Sequence, residues 1–453
     1  MSKPGAEPTT ETAQSSTARL WAAERLARVA EQFPAVEPPT PEADGVLSGL
    51  SVADRALALA IYRTTVQRWF TLQHLLESYL SKQMRRLEPP MQAVLMSGAA
   101  QLVFFDRLPA YAVVDESVRL AHQLVRPNAK AMANAVLRKV DRLVSKAERV
   151  KTWRPDPSLI PLPGGGAIQL PEAVLPPTEP LDKHLVVATS MPLRLVREWR
   201  QRWGDERLAE LCLHSLQNPP TTVAVESPFD PGAHANHVAP HAIDQAVVWQ
   251  GPSELLGDFL ALNPARRVQD AASMLAVQSI SEREPKTILD YCAGQGTKTR
   301  QLALQHPDVR VFATDTHPGR REALRSVTAS LPNVSVIDPG PAGNQRYGLI
   351  LLDVPCSNTG VLARRPEARY RYSQQTIGEL VKLQREIIDQ ARPWLGPGGL
   401  LLYSTCSIEP PENQNQMKKL LRGGGDLIHE HQQQPTGSSD TYTDGSYHAL
   451  VRL

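Results

Sequence analysis

Apolar residues recur every three or four positions through the first third of the chain, which is the spacing of amphipathic helices. The segments with this pattern are RLWAAERLARVAEQF, ADRALALAIYRTTVQRWFTLQHLLESYL, MQAVLMSGAAQLVFFD and AVVDESVRLAHQLV. Prolines fall between them, where helices should stop. The pattern predicts an all-helical domain over residues 18–146, preceded over residues 1–17 by a polar tail that we expect to be disordered.

A proline-dense segment over residues 147–185 follows, with a glycine tract at Gly164–Gly166. Such a composition disfavours helices and central strands, so we predict a linker or an extended wrap. A helical pattern resumes in PLRLVREWRQRWGDERLAELCLHSL, and two short β-like pieces, TTVAVES and AVVWQ, come after it. We therefore expect a small α/β subdomain over residues 186–262.

From Lys286 onward, short apolar β-branched runs alternate with helical patterns. The runs are TILDY, VRVFATD, VSVID, YGLILLDV and GLLLYSTC, and the helical patterns are TKTRQLALQH, PGRREALRSVTASL and TIGELVKLQREIIDQARPWL. This alternation predicts a Rossmann-like α/β domain over residues 263–453, with a largely parallel sheet and helices on both faces. Ligands bind outside the carboxyl ends of the strands in such sheets.

Composition narrows the class of protein. The chain has 453 residues and a net charge of only +2, so it should hold several domains and bind nucleic acid through local patches. The four cysteines are too sparse for a disulfide framework, and none has the spacing of a zinc site. Without an apolar run long enough for a membrane span or a recognisable leader, we expect a cytoplasmic protein, a monomer, with no metal and no membrane partner.

The first predicted strand ends in DYCAGQGTKT, residues 290–299. Gly294 and Gly296 permit a tight turn before a helix, although Thr299 stands where a dinucleotide fingerprint has its third glycine. In isolation such a loop is also typical of a plain βα turn. Asp315 ends the next strand, where an acid commonly binds ribose hydroxyls but can equally cap a helix. Together the loop and the acid indicate an adenosine-containing cofactor.

Two further strand ends carry cysteines. The segment DVPCSNTG contains Asp353 and Cys356, and STCS contains Cys406. A single buried cysteine is often just a small apolar residue. Two of them in polar loops beside an acid instead favour chemistry, because a thiolate is a strong nucleophile.

These motifs resemble the RNA cytosine-5 methyltransferases of the RsmB/Sun (Fmu) type. The family patterns run roughly DxCAAPGGKT, DAPCSGTGxxRRxP and YSTCSxxxEEN, and this chain has DYCAGQGTKT, DVPCSNTGVLARRP and YSTCSIEPPEN. VQDAASMLA and TDGSYHALVRL are similar to two further family elements. GAAQLVFFDRLPAYAVVDESVRLAH and MANAVLRKV resemble the NusB-like helical domain of the same proteins. The resemblance covers nearly the whole chain, except the tail and the proline-rich segment.

The resemblance implies that the cofactor is S-adenosylmethionine. Its methionine and ribose portions would lie in the loop after the first strand, with Asp315 on the ribose, Asp338 on the adenine and Asp353 between cofactor and base. The implied cofactor residues are Cys292, Ala293, Gly294, Gln295, Gly296, Thr297, Lys298, Asp315, Asp338 and Asp353.

The resemblance also implies a reaction, formation of 5-methylcytosine in small-subunit (16S) ribosomal RNA. It makes Cys406 the nucleophile, gives Cys356 the release of product, and assigns Asp353 to activation of the base, with Lys298 in the same catalytic group. Two alternatives stay open: methylation of transfer RNA, and a non-catalytic RNA-binding or assembly protein dominated by the NusB-like domain. Retention of both cysteines and Asp353 favours the enzyme.

RNA contacts are harder to derive. Arg194, Arg197 and Arg200 recur every third residue on one predicted helix, near Trp199 and Trp203, which suits phosphate contact and stacking but is also typical of a solvated face. Arg364 and Arg365 belong to a motif of the family and are the better-supported RNA contacts. The chain also departs from the family pattern, with Gln295 for proline, Thr297 for glycine and Asn358 for glycine.

Overall fold

The computed structural model describes residues 10–37, 44–340 and 345–453, with side chains from Thr17 onward. It divides into two compact units: unit 1 holds residues 1–217 and 365–372, and unit 2 holds residues 218–364 and 373–453. Residues 1–9 of the predicted tail lie outside the described part. The first helix begins at Thr10, so residues 10–17 are helical where the sequence predicted disorder.

Unit 1 is built mainly of helices, as predicted. Helix α5 (Pro89–Phe104) is buried on every side from Met91 to Gln101, because nearly all its residues are apolar or small. It lies at the centre of the predicted helical domain and packs against the helices around it. Pro89 and Pro90 form its first turn, where a missing N–H costs nothing. The first helices in chain order are α1 (Thr10–Gln32), α2 (Gly45–Ser48), α3 (Val52–Gln67), α4 (Trp69–Glu77), α5 (Pro89–Phe104), α6 (Ala110–Leu124) and α7 (Ala129–Val144).

The proline-dense segment contains regular structure, contrary to the predicted linker. Its strands β1 (Glu148–Val150), β2 (Leu159–Pro161) and β3 (Ala167–Gln169) form an antiparallel sheet in the order β1-β3-β2. The prolines are tolerated because Pro161 lies in an edge strand, while the central strand contains none. Helix α8 (Leu181–Thr189) begins directly after Pro180, so the predicted linker ends within a helix.

Unit 1 also extends beyond the predicted linker. Helix α9 (Leu193–His214) matches the predicted helical pattern but is broken at Gly204, which has φ 77°. The segment 365–372 counts with unit 1, where the fully buried Arg369 donates hydrogen bonds to the carbonyls of Thr189 and Ser215, each at 3.0 Å. The predicted subdomain over residues 186–262 is therefore divided between the two units.

Unit 2 begins with a small antiparallel sheet. Its four strands have the order β5-β6-β4-β7, and β4 and β6 coincide with the predicted pieces TTVAVES and AVVWQ. Helix α10 packs its buried Phe259 against this sheet. The elements are β4 (Thr221–Ala224), β5 (Val238–Pro240), β6 (Ala246–Trp249), α10 (Ser253–Ala261) and β7 (Arg267–Val268).

The main sheet of unit 2 has seven strands in the order β10-β9-β8-β11-β12-β14-β13. The five strands predicted from the sequence are all present and parallel, while β14 and β13 add an antiparallel edge. These strands are β8 (Thr287–Asp290), β9 (Arg310–Ala313), β10 (Val334–Val336), β11 (Tyr347–Asp353), β12 (Leu395–Thr405), β13 (Asp426–Gln433) and β14 (Ser446–Arg452). The helices are α11 (Ala271–Gln278), α12 (Thr297–Gln305), α13 (Pro318–Thr328), α14 (Gln374–Ala391) and α15 (Gln414–Leu421).

Both faces of this sheet are covered, which confirms the predicted Rossmann-like architecture. Ile388 of α14 and Met417 of α15 pack in one buried cluster, and Val277 of α11 and Leu302 of α12 pack in the other. From β8 the chain adds strands first on one side, β9 and β10, and then on the other, β11 and β12. The order therefore reverses between β8 and β11, and the carboxyl ends of these two strands form the position where such sheets bind ligands.

Candidate active site

The loop after β8 lies at this reversal point and is the predicted cofactor loop. Gly294 and Gly296 have φ of 57° and 92°, a backbone region that glycine enters without strain. A Cβ on Gly296 would lie 2.7 Å from Leu324, whereas a Cβ on Gly294 would meet no atom within 4 Å. Helix α12 begins at Thr297, so its free N–H groups lie at the end of the loop. The loop presents an open face beside a helix N-terminus, which suits a polar ligand.

Asp315, just past β9, holds this loop in place. Its Oδ2 accepts a hydrogen bond from the backbone N–H of Gly294 at 3.1 Å, and its Oδ1 accepts one from His317 at 2.8 Å. The predicted contact of Asp315 with a ribose stays a prediction. Asp338, past β10, has a side chain 83% exposed, with its Oδ1 3.7 Å from Nε of Arg321. Its predicted contact with adenine also stays a prediction.

Two ionisable groups, the buried Asp290 and the partly buried Cys292, lie at the start of the loop. Asp290 ends β8 with no exposed surface; its Oδ2 accepts a hydrogen bond from Thr299 Oγ1 at 2.7 Å, and its Oδ1 has no hydrogen-bond partner. Burial raises the pKa of Asp290 to about 7. Burial likewise raises the pKa of the Cys292 thiol, which keeps this predicted cofactor-loop residue protonated.

Asp353 ends β11 on the other side of the reversal point, and Lys298 of α12 reaches it. Lys298 Nζ lies 2.7 Å from Asp353 Oδ2, and Ser404 Oγ donates to Asp353 Oδ1 at 2.9 Å. Burial alone would lower the pKa of Lys298, but the attraction of Asp353 outweighs it and the net shift is upward. The structure thus brings together two predicted residues as an ion pair, with the carboxylate oriented from both sides.

The two predicted cysteines lie at neighbouring strand ends. The Sγ atoms of Cys356 and Cys406 are 3.2 Å apart, and both residues are half-buried free thiols. Cys406 Sγ also lies 3.2 Å from Asn358 Oδ1. The pKa of the Cys356 thiol lies well above its usual range. The hydrogen bond with Cys406 is the largest cause of this shift, and burial is the second. One thiol is therefore held protonated by its contact with the other.

The loops that carry the cysteines run directly against each other. The backbone N–H of Gly360 donates to the carbonyl of Cys406 at 3.0 Å, and Gly445 donates to the carbonyl of Gly360 at 2.7 Å. A Cβ at position 360 would lie 2.5 Å from the oxygen of Gly445 and 2.7 Å from that of Cys406. Only glycine fits there, so the TG of the quoted DVPCSNTG motif sets the distance between the two loops.

Glu412 anchors both loops and was missed by the sequence analysis. It is fully buried, and its carboxylate accepts hydrogen bonds from Ser357 N at 2.9 Å, Ser357 Oγ at 2.5 Å, Ser407 Oγ at 2.5 Å and Gln384 Nε2 at 3.0 Å. Each serine follows one of the cysteines in the chain. Burial raises the pKa of Glu412 despite these four donors. Its signal was present, since Glu412 lies in the quoted YSTCSIEPPEN.

His448 is a second residue that the sequence analysis did not identify. The strand register places Asp353, Ser404 and His448 side by side across β11, β12 and β14. His448 is 2% exposed, and neither of its ring nitrogens has a hydrogen-bond partner. Burial, followed by the neighbouring His431, lowers the pKa of His448 to about 3, so its imidazole is neutral. His448 lies in the quoted TDGSYHALVRL, but its place beside Asp353 depends on strand register, which the sequence does not show.

Three separate sequence motifs meet at Arg364. Its Nε lies 2.5 Å from Asp444, its Nη2 lies 2.8 Å from Asp270, and its Nη1 donates to the carbonyl of Pro220 at 3.3 Å. Burial lowers the pKa of Arg364, but the two carboxylates outweigh it and raise the pKa overall. These internal contacts favour a structural role for Arg364; its predicted RNA contact stays a prediction. Arg365, the next residue, is exposed.

The arginines of α9 are engaged in ion pairs within unit 1. Arg194 pairs with Glu198 at 2.7 Å, Arg197 with Asp182 at 2.9 Å, and Arg200 with Asp205 at 2.6 Å. Trp199 is 1% exposed, so it cannot stack on a base. This corrects the stacking contact that was predicted for Trp199. The reason is the helix period, since Trp199 faces inward with Leu195 and Val196. RNA contact by the three arginines stays a prediction.

Within the described residues, no group of three or more histidine, cysteine, aspartate or glutamate side chains is arranged to hold a metal ion. No helix in the same residues is long and apolar enough to cross a membrane.

Two different protein families match two different parts of the chain. Residues 277–446 match the family described as 16S rRNA methyltransferase RsmB/F, and residues 16–142 match the NusB family. The first match contains the cofactor loop and both cysteine loops. The second begins within α1 and ends within α7.

Longer similarities extend over most of the chain. Ribosomal RNA small subunit methyltransferase B of Shewanella oneidensis is 28% identical over 393 residues, which cover 82% of this chain and 84% of that protein. The protein of the same name from Yersinia pestis is 26% identical over 425 residues, covering 89% and 90%. The crystal structure of PH0851 aligns over 100% of both chains with a TM-score of 0.70 and 17% identity, which shows a shared fold.

Proposed function

Because this chain joins a NusB-family segment to an RsmB/F-type methyltransferase segment, we propose that it forms 5-methylcytosine in small-subunit (16S) ribosomal RNA, with S-adenosylmethionine as methyl donor. The observation that carries the proposal is the pair of thiols at neighbouring strand ends, Cys356 and Cys406, 3.2 Å apart at the edge of the sheet that also carries Asp353. Relatives named ribosomal RNA small subunit methyltransferase B support the substrate class.

The residues around the cofactor loop fit S-adenosylmethionine. Gly294 faces open space, and the loop from Cys292 to Lys298 would hold the methionine portion. Each oxygen of Asp315 accepts one backbone N–H and retains a lone pair for a ribose hydroxyl. Asp338 is exposed and would accept from the adenine amino group. When bound, S-adenosylmethionine supplies an electrophilic methyl group.

Cytosine carbon 5 is too poor a nucleophile to take a methyl group unaided. Addition of the Cys406 thiolate to ring carbon 6 forms a carbon–sulfur bond and moves an electron pair toward carbon 5 and ring nitrogen 3. The Asp353 carboxyl group, in its protonated form, would donate a hydrogen bond to ring nitrogen 3 and so stabilise that charge. Lys298 and Ser404 keep the Asp353 side chain fixed, so no side-chain reorganisation is needed when the base arrives.

Release of the product needs a base. The proton on carbon 5 leaves, the carbon–sulfur bond to Cys406 breaks, and the electrons restore the ring double bond. Cys356 is suited to take this proton as a thiolate, because its sulfur lies 3.2 Å from the Cys406 sulfur that carries the adduct. The thiol proton of Cys356 would leave to solvent before this step.

The proposal is tested by methyl transfer from labelled S-adenosylmethionine to purified 16S ribosomal RNA and, separately, to transfer RNA. We expect 5-methylcytosine in the ribosomal RNA with the unmodified protein and none with Cys406→Ala. Cys212→Ala, which removes a buried thiol in unit 1, is the matched control and should keep full activity. Label only in transfer RNA would favour the alternative substrate, and no label in any RNA would make the enzyme proposal wrong.

The roles of the two cysteines are tested by trapping. Cys356→Ala should accumulate an RNA–protein adduct that survives denaturing electrophoresis, because the Cys406 bond forms but the release step lacks its base. Cys406→Ala should give no adduct at any time of incubation. If the two variants behave alike, the assignment of nucleophile and release residue is wrong even where methyl transfer itself is observed.

A further inference from the structure

Asn358 joins the two cysteines through one side chain. Its Oδ1 lies 3.2 Å from Cys406 Sγ, and its Nδ2 donates to the backbone carbonyl of Cys356 at 2.9 Å. Oxygen and nitrogen are the two ends of one planar amide, so the contacts are made or lost together. The carbonyl contact fixes which end of the amide faces the sulfur, because a reversed amide would set its oxygen against the carbonyl oxygen of Cys356.

The backbone at this position is uncommon for a residue other than glycine. Asn358 has φ 60°, in the left-handed region that glycine enters freely and that asparagine and aspartate tolerate better than other residues. The motif that this chain resembles has glycine there. A side chain at such a position is retained against backbone strain, and strain of this kind points to a use for the side chain. The contacts of Asn358 indicate what that use is.

The amide is also well placed to control the nucleophile. Cys406 lies half-buried at the end of β12, and its sulfur contacts Cys356 Sγ and Asn358 Oδ1. A thiol that donates to a fixed acceptor has one preferred rotamer, whereas a thiol without one samples several. Positioning a reacting atom in this way contributes directly to rate.

We propose that Asn358 is a positioning residue for Cys406, holding the thiol in one rotamer and the Cys356 loop at a fixed distance from it. The inference rests on the proposed function for its catalytic consequence. Its geometric consequence, a restrained Cys406 thiol, is independent of any RNA or methyl donor.

The test replaces Asn358 with glycine, the residue of the family pattern. Asn358→Gly removes both contacts and relaxes the backbone, so the variant should fold at least as well as the unmodified protein. We expect kcat to fall about five- to tenfold, because the Cys406 sulfur is no longer held in one rotamer and the Cys356 loop is no longer held beside it before the attack. KM for RNA and for S-adenosylmethionine should change by less than about twofold, since neither contact is made to a ligand.

Asn358→Asp separates the two contacts. Aspartate tolerates the same φ and keeps an acceptor for Cys406, but its second oxygen cannot donate to the Cys356 carbonyl. We expect a kcat between those of the glycine variant and the unmodified protein. The matched control is Gln245→Gly, because Gln245 also has φ 60°, is exposed and lies directly before β6 of the small sheet. This control should gain stability and leave kcat unchanged.

A second measurement needs no substrate. Alkylation of Cys406 by iodoacetamide, followed by peptide mass spectrometry, must break the contact with Asn358, so Asn358→Gly should alkylate several times faster than the unmodified protein or Gln245→Gly. An unchanged alkylation rate, or an unchanged kcat in the folded glycine variant, overturns the proposal. Faster alkylation in a protein that methylates no RNA would uphold the positioning of Cys406 and reject the proposed function alone.

Discussion

The cysteine loops and the cofactor loop lie at the same edge of one sheet but are held in different ways. The cysteine loops close around the buried carboxylate of Glu412, which accepts four hydrogen bonds from both loops and from α14. The cofactor loop is held mainly through its backbone, by Asp315 and by the start of α12. Gln295 and Thr297 in that loop are exposed.

This difference is consistent with two of the three departures from the motifs that the chain resembles, Gln295 and Thr297; the third, Asn358, lies in a cysteine loop. A loop fixed by backbone contacts and positive-φ glycines should tolerate exchange of exposed side chains such as Gln295 and Thr297. A loop fixed by a buried side-chain network loses several hydrogen bonds at once when one member changes. Substitutions in the cysteine loops should therefore have the larger effects, and the following predictions test that ranking.

The largest effect is expected from Glu412→Ala. It leaves Ser357 N, two serine hydroxyls and Gln384 Nε2 without their acceptor in a buried site, which costs about 2 kcal/mol of unfolding free energy or more. Both cysteines should lose their geometry, and we expect methyl transfer to fall at least about 100-fold. Urea unfolding and the labelled-methyl assay measure the two effects.

Two variants of the same residue type sharpen this result. Glu412→Gln keeps an acceptor for Ser357 N, and the serine hydroxyls can turn to accept from the new amide, so most of the stability should remain. Glu379→Ala removes an exposed glutamate of α14 and should change neither measurement. Equal activity of Glu412→Ala and Glu379→Ala would show that the buried carboxylate does not hold the loops.

Lys298→Met should have the next largest effect, because Lys298 connects the cofactor side of the sheet edge to Asp353. Loss of a charge-assisted hydrogen bond at 2.7 Å should lower kcat about 10- to 100-fold. Lys298→Arg keeps the charge and should recover part of the rate. Lys286→Met, at an exposed position before β8, is the control and should leave the rate unchanged. A Lys298→Met variant with normal kcat would remove Lys298 from the catalytic group.

Most of the fold was predictable from the sequence because periodicity reports burial. The five parallel strands and the helices between them follow directly from alternating apolar runs. The proline-dense segment was misinterpreted because composition does not reveal that Pro161 would occupy an edge strand, where a missing N–H is harmless. The division between units was also missed, since nothing in RRPEARYRY indicates that Arg369 is buried in unit 1.

The candidate site, like the fold, was predictable in part from the sequence. Residues that carry chemistry lie in motifs, and the structure brings Cys356, Cys406, Asp353 and Lys298 to one strand edge. Residues that hold them act through three-dimensional contacts, so Ser404 and His448 were not identified although both lie in quoted segments. The ion pairs of Arg194, Arg197 and Arg200 could not be predicted either, because a charge pattern does not reveal that each arginine has an acidic neighbour. RNA contact by these arginines stays a prediction.

A smaller effect, on stability, is expected at Asp290. Its pKa of about 7 lies above the value of about 4 for an unfolded chain, so the folded state binds more protons between these pH values. The unfolding free energy should therefore fall as pH rises from about 4 through 7. Asp290→Asn keeps the acceptor for Thr299 and removes the titration, so it should gain on the order of 2 kcal/mol relative to the unmodified protein between pH 5 and pH 7.

The comparison for Asp290 is Asp389→Asn, an exposed aspartate of α14. Urea unfolding at several pH values should give a nearly constant difference between Asp389→Asn and the unmodified protein. Asp290→Asn should instead diverge from both as the pH rises. Parallel curves for all three proteins would mean that Asp290 does not titrate in this range.

The smallest effect is expected where the cofactor loop departs from the family pattern. Gln295→Pro restores the family residue at an exposed position that follows Gly294. The loop is already fixed by the Gly294–Asp315 contact, so KM for S-adenosylmethionine should change by less than about threefold and kcat should not change. Equilibrium binding of the methyl donor, measured by calorimetry, checks this without RNA. A change of more than tenfold in affinity for S-adenosylmethionine would mean that side chains, and not the backbone, set the shape of the cofactor loop. The proposed difference between the cofactor loop and the cysteine loops would then be wrong.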